Sequence, residues 1–216
     1  MDDDDVSCAH VEFETAMQYF ERGNAGMSTV LDLSCGSGLF TRRFAACERF
    51  DTVVALDLSE TMLREANQRL RGANNETNPV LLIRGDVSRL PIATNSMPCV
   101  HAGAALHCWP SPLTAVAEVY RILAPNGVFV LSTFLQPIER IAELANYDEG
   151  VGELVSNVAA LQKGLVRLRT TPVSSTSIIR YWTEVEIRSL LEAVGFTDYE
   201  RTRRGQFIQV ACRKPS

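Results

Sequence analysis

The amino-acid sequence predicts an α/β protein: a mostly parallel sheet with helices on both faces. Three observations lead there. Short apolar runs alternate with amphipathic segments at the spacing of crossover units. The stretch Val30-Leu31-Asp32-Leu33-Ser34-Cys35-Gly36-Ser37-Gly38-Leu39-Phe40 reads as a strand, a tight turn and the start of a helix. Near the end, Arg204-Gly205 separates two strand-like segments as a hairpin turn would. A hairpin cannot continue a parallel crossover, so one of the last two strands must run antiparallel.

The elements follow in order. Residues 1–9, with acids from Asp2 to Asp5, read as a disordered acidic tail, and 10–216 as a single domain, a length that can bury one sizeable core. Over 10–22, Phe13, Ala16, Met17 and Phe20 recur at helical spacing, and Gly23-Asn24 ends the helix. After the glycine turn, 40–47 is the clearest part of a second helix, and 53–56 is a strand that runs into Asp57. Ser59 is an N-cap for a helix over about 60–70 carrying Met62, Leu63, Ala66 and Leu70. A polar loop leads to the strand 80–83, then Gly85-Asp86, and 98–102 is a weaker fourth strand. Ser111-Pro112 opens a helix, with Pro at its first position. Pro125-Asn126-Gly127 turns the chain into the strand 128–133. The texture then changes. Residues from about 136 to 180 are helix-compatible but interrupted by glycine, and they read as an insertion over one end of the sheet. Thr183-Glu184-Val185-Glu186 matches a capping box, Gly195 closes that helix, and 198–203 and 206–212 form the final hairpin.

Composition narrows the function classes. Of the 216 residues 46% are hydrophobic and 22% charged, as in ordinary soluble domains, and the net charge of −5 argues against nucleic acid as the main partner. Six cysteines are dispersed without a C-x-x-C pair, which suits free thiols in a reducing compartment. No apolar run approaches the ~20 residues of a membrane span, and the N-terminus resembles neither a secretory signal nor a transit peptide. The expected location is soluble, in a reducing compartment such as the cytoplasm. Cys99, His101, His107 and Cys108 fit no zinc spacing, so no metal is expected. Oligomeric state stays open.

The ligand follows from the glycine turn and the acids after it. A dinucleotide fingerprint wants a third glycine where Thr41 stands, which disfavours an NAD-dependent oxidoreductase, and the P-loop pattern is absent. Asp32 ends the first strand, where a carboxylate can accept from a ligand amine or hydroxyl. Asp57, about 20 residues beyond the glycines, suits a ribose diol. Asp86, one strand further, suits an exocyclic adenine amine, with Val87 and Met62 either packing on its rings or belonging to the core. The ligand so defined is a nucleoside with no pyrophosphate.

These motifs resemble those of a known family. Asp32 through Gly38, then Ala55-Leu56-Asp57-Leu58-Ser59, then Gly85-Asp86-Val87 are similar to the successive cofactor motifs of class I S-adenosylmethionine-dependent methyltransferases. Glu118-Val119-Tyr120-Arg121-Ile122-Leu123-Ala124-Pro125-Asn126-Gly127 is similar to their later E-x-x-R-V-L-x-P-G-G segment. Within the family the chain most resembles the ubiquinone/menaquinone-biosynthesis type, methyltransferase domain 11. The run Ala102-Gly103-Ala104-Ala105-Leu106-His107-Cys108-Trp109-Pro110 resembles a plant and algal plastid branch, which adds the plastid stroma to the cytoplasm as an expected location.

The resemblance implies a Rossmann-like, seven-stranded sheet with a reversed C-terminal strand. It implies S-adenosylmethionine as cofactor, S-adenosylhomocysteine as product and a small, apolar or aromatic, quinol-like acceptor. The cofactor contacts it implies are Asp32, Ser34, Cys35, Gly36, Gly38, Asp57, Leu58, Met62, Gly85, Asp86, Val87, Ala102 and Gly103. Ser34 stands where the family pattern has its first glycine, and its hydroxyl either contacts or shifts the methionine moiety. His107, just beyond the fourth strand, suits a general base or a hydrogen-bonding lock for its loop; His107 and Trp109 are the candidates for the acceptor wall. The rival from another class is a catalytically silent S-adenosylmethionine-binding regulator.

Overall fold

The structure, a computed structural model, describes residues 3–23, 26–72, 78–136 and 181–216. The expected insertion at about 136–180 lies outside the described residues except for Gln136. Helices α1 (Asp3–Gly23), α2 (Leu39–Ala46), α3 (Glu60–Arg71), α4 (Pro112–Ile122) and α5 (Glu184–Val194) combine with seven strands. The strands are β1 (Thr29–Leu33), β2 (Thr52–Asp57), β3 (Val80–Arg84), β4 (Met97–Ala102), β5 (Leu123–Phe134), β6 (Thr197–Arg204) and β7 (Phe207–Arg213). They form one sheet in the order β3-β2-β1-β4-β5-β7-β6. β7 is antiparallel to both its neighbours, and the other neighbouring pairs are parallel, so the hairpin places the reversed strand inside and not at the edge.

The alternation of side chains along β1 divides the core. Val30 joins Phe13, Phe20, Phe44 and Phe50 in the apolar layer with α1 and α2, whereas Leu31 and Leu33 join Val116, Val119, Ile187 and Leu191 in the layer with α4 and α5. By the same period, Asp32 belongs to the α1/α2 side. Local chemistry sets the helix ends as the sequence leads one to expect. Ser59 Oγ accepts from Met62 N, Thr183 and Glu186 form a reciprocal capping box, and Gly195 caps α5 in left-handed backbone at φ 109°.

Two boundaries differ from expectation. Helix α1 reaches back to Asp3, where a disordered tail to residue 9 was expected; no Gly or Pro interrupts 3–10. Pro125-Asn126-Gly127 does not precede β5 but lies within it. Asn126 takes φ 63°, its N–H donates to Lys214 O at 2.9 Å, and Lys214 N–H donates to Gly127 O at 3.0 Å. The kink is absorbed as a register shift between Met97 and Cys99 on β4, and the strand carries on.

Candidate functional site

The turn after β1 is built on left-handed backbone at alternate residues: Ser34 at φ 58°, Gly36 at 53° and Gly38 at 79°. Gly38 is the N-cap of α2, and a Cβ there would stand 3.0 Å from that of Ala66 on α3, so close packing requires glycine. A Cβ on Gly36 would meet nothing within 4 Å. Here the main chain faces open space.

Asp57 is the last residue of β2, and main-chain donors orient its carboxylate. Gly36 N–H donates to Oδ2 at 2.9 Å and Ser59 N–H to Oδ1 at 2.8 Å, while Cys35 N–H donates to Leu56 O at 3.1 Å. Each carboxylate oxygen keeps a further lone pair. Beside it, Leu58 and Met62 are 63% and 37% exposed, large apolar side chains left in the open next to an oriented acid. Asp86 is exposed; its Oδ1 accepts from Ser88 N–H at 2.8 Å, and Oδ2 has no partner among the described residues. Open backbone at Gly36, a pinned carboxylate with spare lone pairs and an apolar ledge fit a ribonucleoside. Cys35 lies in the same turn. Burial, with Asp32 and Asp57 close by, pushes its thiol well up, so it stays protonated and is no nucleophile.

Other expected contacts are placed differently. Asp32 is 1% exposed, and both its oxygens are engaged within the fold: Thr41 Oγ1 donates to Oδ2 at 2.6 Å and His101 Nδ1 faces Oδ1 at 3.1 Å. It braces the interior where a ligand-facing acid was expected. His101 Nε2 is buried without a hydrogen-bond partner among the described residues. Val87 and Ala102 are core residues, and Val87 belongs to the layer with α4. Gly85 and Gly103 have packing reasons to lack a side chain: a Cβ would come within 3.0 Å of Leu56 Cδ1 and 2.8 Å of His101 Cε1, respectively. Met62, weighed as core, is the exposed one.

Across the sheet, beyond β4, lies the loop of His107, centred on a 3-10 turn over Leu106–Cys108. His107 is half-buried, with Nδ1 3.3 Å from Thr133 Oγ1 on β5 and its ring edge-on to Phe134 at 5.4 Å. Burial holds its imidazole below the ordinary 6.5, so at neutral pH the ring is uncharged and able to take a proton. Phe134, 38% exposed, continues to Phe207 at 5.8 Å, so an aromatic row starts at His107. Trp109 does not join this row. It is 7% exposed, lies in the core and donates its indole N–H to Ser34 Oγ at 3.0 Å. Through that bond the Ser34 hydroxyl accepts from the Trp109 ring.

The sequence left Glu12, Thr41, His101 and Ser132 without roles. Ser132 Oγ accepts from Ala104 N–H at 2.6 Å and donates to Glu12 Oε1 at 2.5 Å, while burial pushes the Glu12 carboxyl up. Gln209 Nε2 donates to Glu12 O at 3.0 Å, so α1 is tied across β5 and β7. One signal was present: Asp32 and His101 are polar residues inside apolar strands, and β1–β4 register sets them side by side. Among the described residues, no group of three or more His, Cys, Asp or Glu converges as a metal site, and no helix is long and apolar enough to cross a membrane.

A glycine turn at the carboxyl end of β1 and an oriented acid at the end of β2 sit on a Rossmann-like, seven-stranded sheet. Residues 31–131 match the methyltransferase domain family, Methyltransf_11. An uncharacterized chloroplastic methyltransferase of Arabidopsis thaliana is 38% identical over 207 residues, 95% of this chain and 52% of that protein. A demethylmenaquinone methyltransferase of Staphylococcus haemolyticus is 33% identical over 111 residues, 51% of this chain and 45% of that protein. Among solved structures, the magnesium protoporphyrin IX methyltransferase of Synechocystis, with S-adenosylhomocysteine bound, matches with a TM-score of 0.64 at 16% identity, over 97% of this chain and 84% of that one. That likeness shows the fold. Residues 31–131 thus carry a methyltransferase domain of the domain 11 type on the fold of class I S-adenosylmethionine-dependent methyltransferases, and the chain spans about half the length of the chloroplastic relatives it matches.

Proposed function

We propose that this chain transfers a methyl group from S-adenosylmethionine to a small, apolar or aromatic acceptor of quinol type. The observation that carries the proposal is the pinned Asp57 carboxylate beside open Gly36 and exposed Leu58 and Met62. In this assignment Asp57 accepts from the ribose hydroxyls, Leu58 and Met62 flank the adenine, and Asp86 accepts from its amine. When bound, S-adenosylmethionine supplies an electrophilic methyl group on sulfur. The protein's task is to align the acceptor, exclude water and, where the acceptor must lose a proton, take it.

His107 suits that last role. With Nδ1–H donating to Thr133, Nε2 is left as the base on a ring that burial keeps neutral. The partly exposed ring of Phe134 beside it supports an aromatic acceptor, and the likeness to demethylmenaquinone methyltransferases supports a quinol. The place of Thr41 argues against a dinucleotide. Its side chain is fully buried and bonded to Asp32 where the fingerprint requires glycine. The two chloroplastic relatives support a plastid location, which imaging of the tagged full-length protein checks.

Calorimetry with S-adenosylmethionine, S-adenosylhomocysteine and NADH tests the cofactor. Binding of the first two without NADH is expected, and the reverse overturns the reading. Transfer of labelled methyl to a prenylated naphthoquinol lacking its ring methyl tests the acceptor. Cofactor binding with no product from that quinol or from a metabolite extract replaces the enzyme with a silent binder.

A further inference from the structure

We propose that Ser34 and Trp109 form a positioning pair that holds the loop carrying His107 against the cofactor turn. The inference rests on the acceptor-side assignment of that loop made above. Ser34 keeps a side chain at φ 58°, a backbone region where glycine is at ease and other residues are strained. What glycine would lack there is the hydroxyl, and the hydroxyl receives the indole N–H of Trp109 at 3.0 Å across 75 residues of sequence. Without that acceptor, a buried donor would be stranded.

Each partner is fixed on its other side. Immediately after Ser34, Cys35 N–H is bonded to Leu56 O and Gly36 N–H to Asp57, so Ser34 moves with the ribose wall. The Trp109 ring is buried in the core layer with Leu106, Ala115 and Val116, and the main-chain N–H of Trp109 donates to Leu106 O at 3.3 Å. His107 lies between those two residues in the chain. Its loop is therefore held at two points, by His107 itself at Thr133 on β5 and by Trp109 at Ser34 beside β1. Neither Ser34 nor Trp109 need touch an acceptor. They set where His107 stands relative to the turn.

Two variants of the full chain test the pair. Trp109→Phe keeps most of the ring and loses the N–H; Ser34→Gly loses the hydroxyl and suits the same backbone. Amide exchange over residues 104–108 is expected to quicken roughly three- to tenfold in each variant. The double variant should be no faster than either single one, because both remove the same bond. With the naphthoquinol probe, Trp109→Phe should lower kcat/KM for the acceptor while KM for S-adenosylmethionine holds, a split that a general loss of stability would not produce. Unchanged exchange, quickening in only one variant, or two additive effects overturns the proposal. Should Trp109→Phe not fold, Ser34→Gly, which leaves the apolar core intact, decides alone. Exchange needs no acceptor, so a failure of the quinol assignment leaves this result readable.

Discussion

The turns after β1 and β2, and the interior of β1 with the ends of β4 and β5, carry the two halves of the candidate site, and they are held by different means. At the β2 end, Asp57 is oriented by main-chain donors of two turns, each determined by nearby glycine and cap residues. From β1 across β4 to β5, polar side chains hold one another: Asp32 with Thr41 and His101, Ser132 with Glu12, His107 with Thr133. The contrast between Asp32 and Asp57 is sharpest. Both are acids on adjacent strands, yet one is spent inside the fold and the other presents spare lone pairs at the surface. A carboxylate's role here depends on whether its partners are main-chain groups beside an open face or side chains in a closed one.

The largest effect should come from breaking the closed side. Asp32→Ala strands Thr41 and His101 in the core and is expected to lower stability by about 3 kcal/mol or more. Denaturant midpoints check it, and a loss below about 1 kcal/mol would show that the brace is dispensable. On the open side, Asp57→Ala should weaken S-adenosylhomocysteine binding ~10-fold or more by calorimetry, since it leaves a diol without its acceptors; unchanged affinity removes Asp57 from the site.

His107→Gln should cut transfer roughly 100-fold if the acceptor loses a proton at His107. It should also abolish the acid limb of the pH–rate profile. Because burial depresses this pKa, the neutral ring prevails above pH 6.5, and wild-type activity should fall only below that value. The same sign applies to stability. The folded state binds this proton less readily, so the His107 contribution is fully present above pH 6.5 and lost as pH falls through the folded value. Smallest is Glu12→Gln. The Glu12 pKa is raised by burial, so its stabilisation is present below pH 4.5 and lost as pH rises through the folded value. The neutral amide should leave stability at pH 7.5 equal or higher by under ~1 kcal/mol and flatten that dependence, as thermal unfolding at several pH values will show.

Much of the fold and of the local geometry around the glycine turn and Asp57 was legible in the sequence. The glycine turn, Asp57 and Asp86 and the final hairpin all rest on short-range rules, as do the caps at Ser59 and Thr183. A turn's left-handed residues and a helix's first donors are satisfied within a few positions of chain. The closed half was not legible, because its partners are separated by the crossovers of a parallel sheet. Thr41 looked like a missing glycine and turned out to be a donor to Asp32. Trp109, a candidate wall, proved to be a core ring bonded to Ser34. Nothing within a few residues of His101 announces Asp32, 69 positions away.

By itself, then, the sequence determined the alternation of strands and helices, the reversal within the last hairpin and the backbone chemistry of the glycine turn. Periodicity, backbone preference and capping act over one or two turns of chain, and those choices follow from them. Tertiary structure decided which acids remain open, which polar residues are consumed in the core and which donor the Ser34 hydroxyl receives. Strand register brings Asp32 beside His101, and the crossover to α4 brings Trp109 over Ser34. Such pairings exist only once the sheet has closed.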